Sequence, residues 1–352
     1  MDFSLSAEAH DLTTLTRDLT GSGRPLWRAL AEAGVLGAAL PKRAGGDGYG
    51  LLEQCAILTE LGRAAATVPY LPSIVVAAGA LARFGTEQQV SEWAVPASRG
   101  EVVLTAAGAP ARARRDPGGG WRLDGTIPAV PAAPDAALIL VPADGAGVFL
   151  IEPGDPGVHV EAQHVAGGPG AGLVRLAEVA VPDERRLGDA AAGAWLTAYT
   201  TVGAAAAQLG VVERALEMTA QYARSRVQFG RPIGAFQAVA QRLADAYIDV
   251  EALRLTLWQA VWRLTGQHPA ADPAVATAGF WAAEAGHRVV HTAVHVHGGV
   301  GIDLEYPLHR YFLAAKYHEF LLGGATAQLR ALAAHGQPDA HPDGSPPGWW
   351  SP

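Results

Sequence analysis

Cysteine and lysine are nearly missing from this chain, and each scarcity narrows what it can be. Cys55 is the sole cysteine among 352 residues, so neither an intramolecular disulfide nor a cysteine-based metal cluster can form within one chain. A reducing cytoplasm suits such a sequence. Lys42 and Lys316 are the only lysines, and the formal net charge is -8. No basic face is implied, so nucleic acid is not an expected partner. Long apolar runs are also lacking: VPYLPSIVVAAGALARF is interrupted by Pro72 and Ser73 and falls short of a clean membrane span. The opening MDFSLSAEAHDLTTLTRDL is amphipathic and acidic and reads as an ordinary first helix, without the basic start and apolar block of an export signal.

What is present is a 49% hydrophobic chain, long enough to bury two or three packed units without staples. Apolar residues recur at helical spacing through LWRALAEAGVLGAAL, LLEQCAILTELGRAAA and VVAAGALARF, which predicts a helical domain over 1–99. Short β-rich runs separated by Gly, Pro and Asp follow, among them EVVLTAAG, AALILVPAD and GVFLIEP. They predict a small β-sandwich or barrel over 100–189. Helical periodicity then returns in four long segments, expected as an antiparallel four-helix bundle over 190–336. The tail over 337–352, rich in Pro, Gly and Asp, is expected to be disordered. The fold class is therefore α+β and multidomain. Glu53 and Glu60 are assigned to a solvated helix face, and the run Gly203–Ala207 fits a roomy pocket and a tight helix crossing equally well.

Between the first two bundle helices the chain reads RVQFGRPIGAFQ, and after the third it reads HVHGGVGIDLEYPLHRYF. With the order helical, β, helical, these stretches resemble the acyl-CoA dehydrogenase family of flavoproteins over about residues 3 to 335. The segment PYLPS resembles a bacterial subgroup that includes companion subunits of hetero-oligomeric members. The family oxidises the Cα–Cβ bond of an acyl thioester: a glutamate takes the α proton and FAD the β hydride. By resemblance, Arg226 pairs with the pyrophosphate of FAD held by a neighbouring subunit, Phe229 packs on the adenine side and Gln237 hydrogen-bonds the nucleotide. Guanidinium, aromatic and amide groups suit those roles. His295 stands where the family has a glutamine, Gly298 and Gly299 allow close backbone approach, and Thr105 remains from the flavin-facing strand.

The resemblance fails where the chemistry belongs. The family's glutamate position falls on Leu322 or Gly324, and the alternative seat on the first bundle helix falls on Thr200, with Thr201 beside it. None of these is a base. Glu319 is the acid nearest in sequence and a weak candidate. The flavin-facing β segments also depart from pattern, and Pro131 has no N–H to donate. His309 and Arg310 read as a structural turn.

Four functions remain open at this point. The first is the non-catalytic subunit of a hetero-oligomeric dehydrogenase acting on an acyl-CoA or acyl-carrier thioester, a dimer or tetramer with a homologous catalytic partner that shares FAD across the interface. The second is a homo-oligomeric flavoenzyme of altered chemistry on a CoA- or carrier-bound intermediate. A flavin-free scaffold is the third. A metal site at His291, His295 and His297 is the fourth, unsupported by any carboxylate or cysteine at ligand spacing.

Overall fold

The computed structural model describes residues 6–335; the expected disordered tail lies outside them. Helix α1 (Ala7–Thr20) begins where the Ser6 hydroxyl accepts the Ala9 N–H at 3.0 Å, a side-chain cap for an otherwise unsatisfied donor. It is followed by α2 (Leu26–Glu32), α3 (Val35–Ala38) and α4 (Leu51–Arg63). Residues Tyr70–Ala78 then wind as a π-helix and pass directly into α5 (Gly79–Phe84). Pro72 removes one backbone donor from the opening of that stretch, and the Ser73 hydroxyl instead accepts the Leu104 N–H at 3.0 Å. The wide turn thereby ties the helical layer to the first strand. The short helices α6 (Glu87–Gln89) and α7 (Val95–Ser98) close this layer.

Eight strands follow: β1 (Leu104–Ala106), β2 (Arg112–Arg115), β3 (Trp121–Pro131), β4 (Leu138–Ala143), β5 (Gly147–Ile151), β6 (Val158–Gln163), β7 (Ala171–Val181) and β8 (Arg186–Leu187). They form two four-stranded sheets, ordered β1-β4-β5-β8 and β2-β3-β7-β6. Strand alternation explains the packing. Ile139, Val141, Phe149 and Ile151 face the second sheet, while Leu138, Leu140, Val148 and Leu150 face the helices. Both sides of β4 and β5 are therefore buried, and the result is a sandwich with one face pressed into the helical core.

Helix α8 (Ala190–Ser225) starts at Asp189, whose carboxylate accepts the Ala191 N–H at 2.9 Å. A hairpin of β9 (Val227–Gln228) and β10 (Arg231–Pro232) separates it from α9 (Gln237–Thr265), which is followed by α10 (Ala271–His297). The fourth expected helix is two: α11 (Leu308–Leu321) and α12 (Gly324–His335). The break follows from Gly323 and Gly324, both left-handed at φ 74° and 73°, a conformation that ends a helix.

Two sequence-based expectations are settled by packing. Helix α4 crosses α8 backbone to backbone: a Cβ on Gly62 would lie 2.0 Å from the Ala207 carbonyl oxygen, and one on Gly210 would lie 1.9 Å from that of Thr59. The small-residue run on α8 is thus a tight crossing, with a cavity beside it. Glu53 and Glu60 are not solvated but buried. Glu53 accepts from the Ser6 hydroxyl at 3.0 Å, and Glu60 is held by both arms of Arg17 at 2.9 and 3.1 Å. Pairing with a charged fork is what permits such burial.

Candidate functional site

Two regions collect the residues that sequence reasoning singled out. The first is a cavity of about 690 Å³ enclosed by α4, the π-helical stretch, the loop after β1, α8 and α11. Its walls are mainly Leu, Ala, Gly and Pro. Thr200 and Leu322 line it, with Gly323 between the last two helices. None of these side chains accepts an α proton.

Glu319 is not brought there. It is turned toward α10, where Lys316 Nζ donates to its Oε2 at 2.8 Å and His287 Nδ1 lies 3.2 Å from its Oε1. Gly324 also stays out of the lining. Thr105 is a further correction: it is fully buried and its hydroxyl donates to the Pro131 carbonyl. It fastens β1 to β3 and lies outside the cavity lining.

The cavity wall drawn from the β domain can be tested against a flavin ring, whose carbonyls and ring nitrogens need N–H and O–H donors. That wall carries Ala106, Ala109, Pro110, Pro128, Pro131 and Asp144. Proline has no N–H, the Ala107 N–H is already given to the Leu140 carbonyl at 2.8 Å, and Asp144 contributes only acceptors. The wall offers a flavin ring no side-chain donor, only backbone N–H groups such as those of Gly108 and Ala109.

His318 is the residue that sequence reasoning missed. It lines the cavity, and its Nδ1 lies 3.2 Å from Gln208 Oε1. Burial pushes its pKa down to about 4, so the imidazole is neutral near pH 7. Beside it the Tyr317 phenol, also in the lining, is pushed up by burial. Its ring lies so close to Gly168 that a Cβ there would come within 2.3 Å. The available sequence signal was a histidine one position from the only nearby acid, and attention to the acid hid it.

The second region is the hairpin between α8 and α9. Gln228 pairs with Arg231 across a two-residue loop, and both loop residues, Phe229 and Gly230, have positive φ, 53° and 78°. That is the pattern of a type I′ turn, which glycine and asparagine favour. Phe229 holds this costly conformation with 93% of its surface exposed. Such strain at an exposed tip points to function. Phe236 meets Phe229 edge-on at 6.1 Å between ring centroids, and the Arg231 guanidinium lies 4.3 Å above the Phe236 ring.

Arg226 and Gln237 are exposed at the base of this hairpin. Arg224, Arg226, Arg231 and Arg242 are all exposed, and none has an acidic partner among the described residues, whereas most arginines elsewhere are paired. An anionic ligand suits such a cluster. The hairpin's chemistry fits the pyrophosphate and adenine end of FAD. It is presented outward, away from this chain's own cavity lining.

His295, Gly298 and Gly299 lie exposed at the end of α10. The three histidines there do not converge. His297 is buried, with Nδ1 2.8 Å from the Ala293 carbonyl and Nε2 3.1 Å from the Tyr306 hydroxyl, whereas the His291 ring packs on Phe312. Among the described residues no group of three metal-ligating side chains occurs, and no helix is long and apolar enough to cross a membrane. Arg310 reaches the Ala64 carbonyl at the end of α4 at 3.4 Å.

Comparison with known proteins agrees with this architecture. The acyl-CoA dehydrogenase N-terminal domain matches residues 8–101 and the C-terminal domain residues 195–336. Acyl-CoA dehydrogenase FadE27 of Mycobacterium tuberculosis is 53% identical, over 88% of this chain and 87% of its own. FadE28 of the same organism is 34% identical over 95% and 98%. The crystal structure of the ChsE4–ChsE5 complex from Mycobacterium tuberculosis contains a chain 49% identical, with a TM-score of 0.91, covering 96% of this chain and 100% of that one. A variant of the Tcur3481–Tcur3483 steroid ACAD is 41% identical over 93% of this chain and 97% of that one, with a TM-score of 0.86. With two-domain matching, these identities and this fold, the chain belongs to the acyl-CoA dehydrogenase family of flavoprotein oxidoreductases.

Proposed function

We propose that this chain is the non-catalytic subunit of a hetero-oligomeric acyl-CoA dehydrogenase, lending the adenosine side of the FAD site to a homologous catalytic partner. The observation that carries this reading is the cavity without a base: of the positions where the family would carry a carboxylate, Leu322 and Thr200 line it and Gly324 lies outside it, and Glu319 is held by Lys316 elsewhere. In this family FAD supplies hydride acceptance at the β carbon of the acyl thioester. Arg226 would meet its pyrophosphate, Phe229 would cover the adenine and Gln237 would hydrogen-bond the nucleotide. A partner surface is also available, since Ile248, Leu255 and Trp262 are 61%, 52% and 47% exposed at seven-residue intervals along α9. Such a stripe on one helix face suits association. The ChsE4–ChsE5 relative, solved as a complex of two named proteins, supports a shared assembly.

The test is to purify the chain alone and record its visible absorbance and its mass in solution. The expected result is colourless protein that becomes a yellow mixed oligomer when co-expressed with a catalytic homologue. A flavin band at about one FAD per chain in the isolated protein would sink the companion role and favour the lone altered flavoenzyme.

A further inference from the structure

We infer that the cavity of this chain is a recognition site for an uncharged, bulky and largely apolar ligand that presents a hydrogen-bond donor to His318 Nε2. This rests on the reading that the chain's own cavity takes no flavin ring.

The argument begins at Gln208, fully buried on α8. Its amide nitrogen donates to two backbone carbonyls, Ala282 at 3.2 Å and Ala315 at 3.1 Å. Both of its protons are thereby used and the orientation of the amide is fixed, because a flipped amide would set its oxygen against two carbonyl oxygens. Gln208 Oε1, which can only accept, then faces His318 Nδ1 at 3.2 Å. Nδ1 must hold the proton. In a neutral imidazole the other nitrogen is then a bare acceptor.

That acceptor is not used by the protein. Among the described residues, Nε2 of His318 has no hydrogen-bond partner, while the side chain lines the cavity. Of the other polar side chains in the lining, three are already committed as donors, while the Thr200 and Tyr317 hydroxyls have no partner among the described residues. The Thr201 hydroxyl donates to the Thr197 carbonyl at 2.9 Å, the Thr197 hydroxyl to the Gly193 carbonyl at 3.2 Å, and the Gln328 amide to the Leu322 carbonyl at 2.7 Å. Because Nε2 is the bare acceptor of this tautomer, a ligand group facing it must donate.

The remaining walls set the rest of the ligand. An interior of about 690 Å³, lined chiefly by Leu, Ala, Gly and Pro, favours a hydrocarbon skeleton and penalises charge. The exposed carboxylate of Asp144, also in the lining, repels an anionic end. The Gly62–Ala207 and Gly210–Thr59 contacts hold the α4–α8 side rigid, so the cavity has a defined width. His318 acts here as a positioning residue, reading one donor on an otherwise featureless molecule.

The experiment uses the full chain, in whichever assembly it purifies, and two probes of similar size: 2-naphthol, which donates, and 2-methoxynaphthalene, which does not. Binding is followed by probe fluorescence. The expected result is 2-naphthol bound about tenfold more tightly, the size of one hydrogen bond. His318→Phe should abolish that preference while leaving the ether within about threefold. Equal affinities for the wild-type chain overturn the inference. Should His318→Phe fail to fold, the nitrogen spectrum of histidine-labelled wild-type protein decides. A bare Nε2 signal that shifts with 2-naphthol but not with the ether supports the site, and no such response overturns it. Yellow protein purified alone would defeat the companion reading, whereas colourless protein without donor preference would defeat this inference alone.

Discussion

The cavity and the hairpin differ in where their polar groups point. In and behind the cavity wall, Thr201, Gln328 and Gln208 direct their donors into backbone carbonyls of this chain, so few polar groups besides His318, Tyr317 and Thr200 remain for a ligand. At the hairpin, Arg226, Phe229 and Gln237 face solvent, and among the described residues no acidic side chain pairs with Arg226. Closed polar bookkeeping marks a region finished within one subunit. An open one marks a surface that waits for something else.

Substitutions separate the two regions by what they damage. The largest effect is expected at the α4–α8 crossing beside the cavity: Gly210→Ala forces a Cβ to 1.9 Å from the Thr59 carbonyl and should lower stability by about 3 kcal/mol, read as a fall in melting temperature. An unchanged melting temperature would show that the crossing is looser than described.

Acid should reach the cavity next. His318 titrates near 4 in the folded chain against 6.5 when unfolded, so between these values the unfolded chain binds more protons. Stability is complete above about pH 6.5 and is lost as pH falls toward 4, by up to roughly 3 kcal/mol. His318→Gln should flatten that part of a melting-temperature profile. An identical acid limb in the variant would remove His318 from the account.

The hairpin should respond in the opposite manner. In an assembly with a catalytic homologue, Arg226→Ala is expected to weaken flavin retention by about a hundredfold while changing the subunit's stability by less than about 0.5 kcal/mol. Dialysis against flavin-free buffer and a thermal melt give the two numbers. Loss of stability without loss of flavin would reverse the comparison. Phe229→Gly is the smallest change and the sharpest: relief of the positive φ should stabilise the chain by up to about 1 kcal/mol, yet flavin should still be held less well.

Much of this was legible in the sequence because it is local. Periodicity separates the helices from the β segments, and RVQFGRPIGAFQ carries its turn chemistry in its own letters. The features that were not legible depend on residues far apart in the chain. Glu60 reads as solvent-facing until Arg17 is folded onto it, 43 positions away. The paired glycines after Leu322 look like an irregularity inside one helix, and only their left-handed φ values make two. Thr105 resembles a flavin contact, but the bulged strand β3 brings the Pro131 carbonyl to its hydroxyl. The tautomer of His318 is set by an amide 110 positions earlier, which no motif encodes.

The order of the hairpin in the free chain has one more consequence. Its turn and its aromatic pair are built by contacts within β9, β10 and Phe236, so it does not have to be organised at the moment of assembly. In the proposed complex, a cofactor would then be retained by one polypeptide through a segment encoded in another. A genetic lesion at Phe229 or Arg226 would appear as loss of colour in a protein whose own sequence is intact, and restoring this chain, rather than supplying more flavin, would be the cure.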